Sequence, residues 1–329
     1  MEILPGLHRI ETLLGNRKLY QHLYVGDRVI LIDTGTSDTM GEHIFPYLEK
    51  LGRVPADIDM AIISHADADH FGGNSALKRA APHAWIACHA FDFEWISDPE
   101  AIMEGRYNQF ADMHDMSYPE EVRSFLRGMM GSAVVIDLTL TGGETIILAN
   151  GRPLQLLALP GHTRGHVGIY DPVEKAAVLT DAVLWKGLPD VDGHVVMPPT
   201  YCHTETYRTT IQAVAQLPIE TLCLSHYDLL EGRTAIEDFL SETQRFVDRM
   251  DSALLEAIAE SGESGLTLRE LIDRVDPIVG PFGDASAELA YPVLGHMKEF
   301  TSQGLVRAGK IGNLIRWWKG ENSEARIRT

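Results

Sequence analysis

Four side chains able to hold a metal ion fall within the stretch Ser64-His65-Ala66-Asp67-Ala68-Asp69-His70-Phe71-Gly72-Gly73. Alternate residues of an extended loop point the same way, so His65 and Asp67 can share one cation while Asp69 and the adjacent His70 turn towards a second. Two ions that close together also need a shared carboxylate and a further imidazole each. The chain offers Asp181, His162 and His226, each at the end of an apolar run that reads as a strand. An acidic calcium loop is the competing reading of the motif. It fails because the stretch lacks the Gly and terminal Glu of an EF-hand and contains two imidazoles, which hard calcium does not favour. The chemistry open to such a set is attack by a metal-activated hydroxide on a carbonyl or similar electrophile. An ion beside it polarises the scissile oxygen and stabilises the developing oxyanion. No Ser or Cys nucleophile is required.

The elements that must position these residues alternate strand and helix. "LYQHLYVGDRVILIDTG" predicts two strands around a Gly26-Asp27 turn, so that a hairpin opens the protein, and helical spacing follows in "TMGEHIFPYLEKLG". The buried strand "DMAIIS" runs into the motif, and "NSALKRAAP" leaves it as a helix. After the strand "AWIACH", residues 91–131 are rich in Met and aromatics with helical character, which predicts an inserted cap. Gly142-Gly143 and Asn150-Gly151 read as hairpin turns, Tyr207 to Leu217 as a helix, and "ETLCLSH" as a last strand ending at His226. From about residue 233 the texture changes to three helices and a hairpin at Gly312-Asn313, the order of a winged helix-turn-helix. The expected organisation is therefore a first domain over 1–232 with the cap at 91–131, a winged-helix-like domain over 233–320, and a polar tail at 321–329.

A formal charge of −19, from 28 Lys and Arg against 47 Asp and Glu, disfavours phosphate backbones and anionic lipid. The third C-terminal helix would be the recognition helix, yet it carries Glu288, Glu299 and one Lys, Lys298, so no nucleic acid is expected. That domain is expected to complete the pocket or to form a homodimer. No membrane-spanning run and no export signal are apparent, so the expected location is cytoplasmic and the expected partner a small-molecule substrate. Cys88, Cys202 and Cys223 are too few and scattered for a disulfide framework or a thiolate zinc site.

Five segments resemble the metallo-β-lactamase-fold hydrolases, a group that includes glyoxalase II and lactonases, and they occur in that family's order. They are Asp33-Thr34-Gly35, the HxxxDH core of "SHADADHFGG", "PGHTRGH", "LTDAVL" and "LSH", within a match from roughly Leu4 to Gly232. The resemblance implies an α/β chain folded as an αββα sandwich holding one or two metals at one edge. Carried over by position, His65, Asp67 and His162 would bind the first ion, Asp69, His70 and His226 the second, and Asp181 would bridge them. It implies two divalent ions, zinc by resemblance, and a metal-dependent hydrolase of an ester, lactone or thioester. Asp69 would also orient the nucleophile or pass its proton to the leaving group. Tyr227 stands where the family often has Gly, so its hydroxyl is a second catalytic candidate. Asp33 and His166 are expected to support ligands rather than bind metal, and His89 either faces the site or is structural. Trp185, Tyr201, His203, Met113 and His114 are candidate pocket residues.

The departure is Asp67, where most of the family has His. Asp reaches less far than imidazole and adds a charge, which weakens the Lewis acid, and the harder, carboxylate-rich ligation moves preference from zinc towards iron or manganese. Flavodiiron proteins carry Glu here, so a di-iron oxygen-binding or redox protein is the alternative, although no flavodoxin-like segment follows. A third reading leaves the first ion water-linked, weakly held or absent.

Overall fold

The computed structural model describes residues 1–148 and 150–321. One sheet runs in chain order through β1 (Glu2–Leu4), β2 (Leu7–Leu14), β3 (Arg17–Val25), β4 (Val29–Ile32), β5 (Ile58–Ile63), β6 (Trp85–His89) and β7 (Leu138–Leu140). Its strands are antiparallel up to β4 and parallel from β4 to β7. The expected hairpin is β3–β4, but two strands precede it. The second sheet contains β8 (Thr145–Ile147), β9 (Pro153–Ala158), β10 (Val167–Asp171) and β11 (Ala176–Thr180). After the short hairpin of β12 (Leu188–Pro189) and β13 (Val195–Met197) it adds β14 (Thr221–Leu224) and β15 (Leu230–Glu231), in the order β15-β14-β11-β10-β9-β8.

Alternation along the strands builds the layers. In β4, Ile30 and Ile32 face the second sheet and pack with Leu154, Leu156, Val167, Ile169 and Val178. Val29 and Leu31 face the other way, with Met40, Ile44 and Leu48 of a π-turn and α1 (Phe45–Lys50) and Leu77 of α3 (Asn74–Ala80). On the far side, Ala177, Leu179, Leu222 and Leu224 of the second sheet pack with Ile211 and Val214 of α8 (Thr204–Gln216). This is the αββα sandwich. One expected turn is reassigned: Gly142-Gly143 joins β7 to β8, which belong to different sheets, so it is a crossover rather than a hairpin. Asn150-Gly151 does join an antiparallel pair, β8 and β9.

Between β6 and β7 lies the helical cap: α4 (Phe93–Ser97), α5 (Pro99–Ile102), a π-turn over Met103–Tyr107, α6 (Ala111–His114) and α7 (Glu120–Met130). It docks on α2 (Ala68–Phe71), the short helix inside the motif. A side chain at Gly72 would collide with the carbonyl of Met129, which already accepts from the Ser37 amide at 2.8 Å. The glycine therefore permits the close approach of cap and motif.

The C-terminal region contributes α9 (Arg233–Ala259), α10 (Leu268–Val279), α11 (Ala290–Ser302) and the antiparallel pair β16 (Val306–Ile311) and β17 (Leu314–Lys319). Its apolar residues, among them Phe246, Leu271, Met297 and Trp317, share one continuous core with the outer face of the second sheet and α8. The helix in the recognition-helix position is pressed inward: Tyr291, Val293, His296, Met297 and Phe300 are buried, and a side chain at Gly295 would meet Thr204 Oγ1 at 2.8 Å. The polar tail lies outside the described residues except for Glu321.

Candidate metal centre

β5, β9, β11 and β14 run parallel in direction within their sheets, so their carboxyl ends open on one edge of the sandwich. The loop after β5 delivers His65 and Asp67, and α2 delivers Asp69 and His70. His162 follows β9, Asp181 follows β11 and His226 follows β14. Asp33 and Thr180, at the ends of β4 and β11, are held at φ of 63° and 50°, backbone conformations unusual for residues with a side chain and concentrated at functional sites.

All seven sequence-derived ligands converge. Ligand atoms of His65, Asp67 and His162 form one group within 4.8 Å, those of Asp69, His70 and His226 another, and His65, His70 and Asp181 link the two. His70 Nε2 is 3.5 Å from Asp181 Oδ2 and 3.8 Å from Asp69 Oδ2, and His226 Nε2 is 3.3 and 3.6 Å from the same carboxylates. Ligands about 2.1 Å from a tetrahedral zinc stand roughly 3.4 Å apart, so these spacings suit an ion between them. The buried Nε2 of His65, Nε2 of His70 and Oδ1 of Asp181 have no hydrogen-bond partner, which is costly unless a cation takes them. The residues present therefore fit a divalent ion.

Neighbouring groups set the rings. His70 Nδ1 donates to Asp33 Oδ2 at 2.7 Å, and Asp33 also accepts from the Ser64 amide and hydroxyl at 2.7 and 2.8 Å. His226 Nδ1 donates to the Lys18 carbonyl at 3.0 Å. Both imidazoles thus turn Nε2 towards the centre. Asp92 ties two ligand loops together, accepting from the Ala66 amide at 3.0 Å, the Thr163 hydroxyl at 2.6 Å and the Gly165 amide at 2.8 Å. Burial pushes the Asp92 carboxyl up, with those three donors opposing it. Burial likewise pushes His65 well below its ordinary value, but His70 is held well above: desolvation opposes the charge, and Asp69, Asp33 and Asp181 prevail. Against burial, His226 and His70 keep Asp181 well below the usual carboxylate range.

Asp67 lies among the ligands, but a residue that sequence reasoning missed holds it. Arg106, in the π-turn of the cap, bonds Asp67 Oδ1 through Nε and Oδ2 through Nη2, the latter at 2.7 Å. Tyr107, the next residue, donates its hydroxyl to Oδ1 at 3.2 Å and accepts from the Ala68 amide at 3.0 Å. Asp67 Oδ2 also meets His162 Nε2 at 2.9 Å. Nothing in the sequence periodicity marks Arg106.

A cavity of about 200 Å³ opens over Asp67, Asp69, Asp181 and His226. Val122, Phe125, Leu126 and Met129 of α7 line one part, Leu188 and Met197 of the β12–β13 hairpin another, and Glu288 and Tyr291 of the C-terminal region a third. Tyr118 donates to Glu288 at 2.7 Å, and burial pushes that carboxyl up. The five sequence candidates for the pocket lie elsewhere. Trp185 stacks on Phe239, Tyr201 bonds His296 at 2.6 Å, His114 stacks on Trp317, and Met113 and His203 do not line the cavity. Tyr227 is also turned away, its hydroxyl donating to the Leu184 carbonyl at 2.6 Å and reaching the Gly187 carbonyl at 3.2 Å, so it holds a loop rather than facing the cavity. His166 supports, stacked on His65 at 4.7 Å and bonded to Thr180 at 3.1 Å, and His89 accepts from the Phe91 amide.

Comparison with known proteins gives the same reading. The chain is 30% identical over 127 residues to a hydroxyacylglutathione hydrolase from Synechococcus sp. (strain JA-3-3Ab), a match covering 39% of this chain and spanning about a third, 35%, of that relative. A metallo-beta-lactamase family protein from Thermus thermophilus superposes with a TM-score of 0.72 at 22% identity, over 97% of this chain and 100% of that one. A beta-lactamase domain protein from Burkholderia ambifaria does so with 0.67 at 14%, over 97% and 94%. These two likenesses show the fold. The family model described as the metallo-beta-lactamase superfamily matches residues 20–226, from β3 through the last ligand, and the chain belongs to that superfamily.

Proposed function

We propose that the chain is a metal-dependent hydrolase of a small organic ester, lactone or thioester. The observation that carries this reading is the cavity with apolar walls that opens over Asp69, Asp181 and His226, with the unpartnered Nε2 atoms of His65 and His70 converging on the same carboxylates. Asp69, His70, Asp181 and His226 would hold a divalent ion, which would supply Lewis acidity and an activated water. The chain's own residues do the rest. Asp33 and the Lys18 carbonyl keep the two rings aimed, and Asp69, which lines the cavity, is placed to accept a proton and deliver it to a leaving group. The wall of α7 suits an apolar acyl or alkyl portion and keeps water from it.

Zinc is the metal this reading favours. The sequence argument for iron or manganese rested on hard carboxylate ligation by Asp67, and both oxygens of Asp67 are taken up by Arg106, Tyr107 and His162. The test is hydrolysis of p-nitrophenyl esters, γ-lactones and acyl thioesters by zinc-loaded protein. Activity should vanish on complete chelation and return with metal, and Asp69→Asn should lose about 10²–10⁴-fold in kcat with metal supplied in excess. Turnover that persists in metal-free protein overturns the proposal.

A further inference from the structure

The ligand groups are chemically unequal. Around Asp69, His70, Asp181 and His226 each imidazole Nε2 stands 3.3–3.8 Å from the two carboxylates, a spacing that leaves room for a cation. Around His65, Asp67 and His162, His65 Nε2 keeps an open 3.6 Å to Asp67 Oδ2, but the carboxylate itself is already contested. Asp67 spends Oδ1 on Arg106 Nε and the Tyr107 hydroxyl, and Oδ2 on Arg106 Nη2 and His162 Nε2. The 2.9 Å contact between His162 Nε2 and Asp67 is shorter than the edge of a metal's coordination shell, so those two atoms bond each other rather than flank an ion.

Arg106 cannot easily leave. Its side chain is 3% exposed, its Nη1 contacts Cys202 Sγ at 3.3 Å, and Tyr291 lies under the guanidinium at 5.2 Å. A guanidinium keeps its charge under all relevant conditions and meets a carboxylate through a rigid two-pronged fork. Charge points the same way. Asp67, Asp69 and Asp181 bring three negative charges and Arg106 one positive, leaving two, which one divalent ion neutralises.

We propose that this chain binds one divalent ion tightly, at Asp69, His70, Asp181 and His226, and that Arg106 occupies Asp67 in place of a second, which binds only weakly. The cap thereby sets the metal stoichiometry of the sandwich. This rests on the centre being metal-binding, as the proposed function requires, but its test reads binding rather than turnover. Titrating metal-free protein with Co²⁺ and following the visible absorption should give a break at one equivalent, with a second equivalent held about 100-fold more weakly or worse. Arg106→Gln frees the carboxylate and His162, and should tighten the second equivalent about tenfold or more, giving a two-equivalent break. Arg106→Lys, which keeps the charge but loses the fork, should fall between them. Should the Arg106 variants not fold, the wild-type titration and the metal content after dialysis against buffered zinc decide alone. Two ions of closely similar affinity in the wild type, or a folded Arg106→Gln with an unchanged second affinity, overturn the proposal. One tight ion without ester, lactone or thioester hydrolysis would refute the functional reading and leave this one standing, whereas hydrolysis with two equally tight ions does the reverse.

Discussion

Asp33 illustrates how residues without a place on the metal decide what the ligands can do. It is 1% exposed, and its oxygens accept from the Ser64 amide, the Ser64 hydroxyl and His70 Nδ1. One carboxylate thus fixes the start of the motif loop and the tautomer of a ligand two residues into α2. Asp33→Ala should weaken metal binding about 10–100-fold, measured by competition with a chromophoric chelator, at a stability cost of about 1–3 kcal/mol. An unchanged metal affinity in the folded variant would show that His70 is oriented by its packing alone. The ligands themselves were readable from the sequence because each is coupled to a local signal, a polar residue closing an apolar run, as in Ile62-Ile63-Ser64-His65 and Leu222-Cys223-Leu224-Ser225-His226. Arg106 carries no such signal. It reaches Asp67 from 39 residues away along the chain, and only the path of the cap places it there.

At the scale of elements, α7 shows why a helix can be foreseen and its purpose missed. Val122, Phe125, Leu126 and Met129 follow the i, i+3, i+4, i+7 spacing that ordinarily marks a core-facing stripe. Here the stripe lines the cavity, and Phe125 is 58% exposed. The opposite side is charged and fastened to the cap, with Arg127 meeting Glu100 at 3.0 Å. The helix is therefore anchored by its polar face and its C-terminal contact with Gly72, leaving the apolar one turned to the cavity. Phe125→Ala should raise KM about tenfold for esters with long apolar acyl chains and leave kcat within about twofold, because contact made equally in ground and transition states is uniform binding. Acetyl esters, too short to reach the wall, should be unaffected. A loss confined to kcat would instead give α7 a part in positioning the reacting atoms.

Across the whole molecule, the cap and the C-terminal region meet over the cavity. Phe110 packs edge-on against Tyr291 at 4.9 Å, Tyr118 bonds Glu288, and His114 stacks on Trp317 at 5.7 Å with the rings 6° from parallel. The sequence led us to expect a cap and a C-terminal region that completes the pocket or dimerises, but not the residues at which they meet, since each of these pairs joins segments more than 150 residues apart whose partners share no periodic pattern. The junction has a pH signature. Burial, with Lys298 adding to it, lowers the pKa of His114 from 6.5 to about 4, so the folded state prefers the neutral ring. As pH falls through 6.5 the unfolded chain takes up this proton first, and stability declines until about pH 4, below which this group costs nothing more. His203 is shifted to about 4 in the same direction, by burial and then by Lys298, Arg164, Arg106 and His162, so part of the decline belongs to it. His114→Phe keeps a flat ring on Trp317 and removes the titration. Its urea midpoint should therefore fall less steeply than the wild type's between pH 6.5 and 4, with the curves parallel above pH 7. Equal slopes in that window would mean that the ring is solvated when charged, and that the cap does not seal against the C-terminal region at His114.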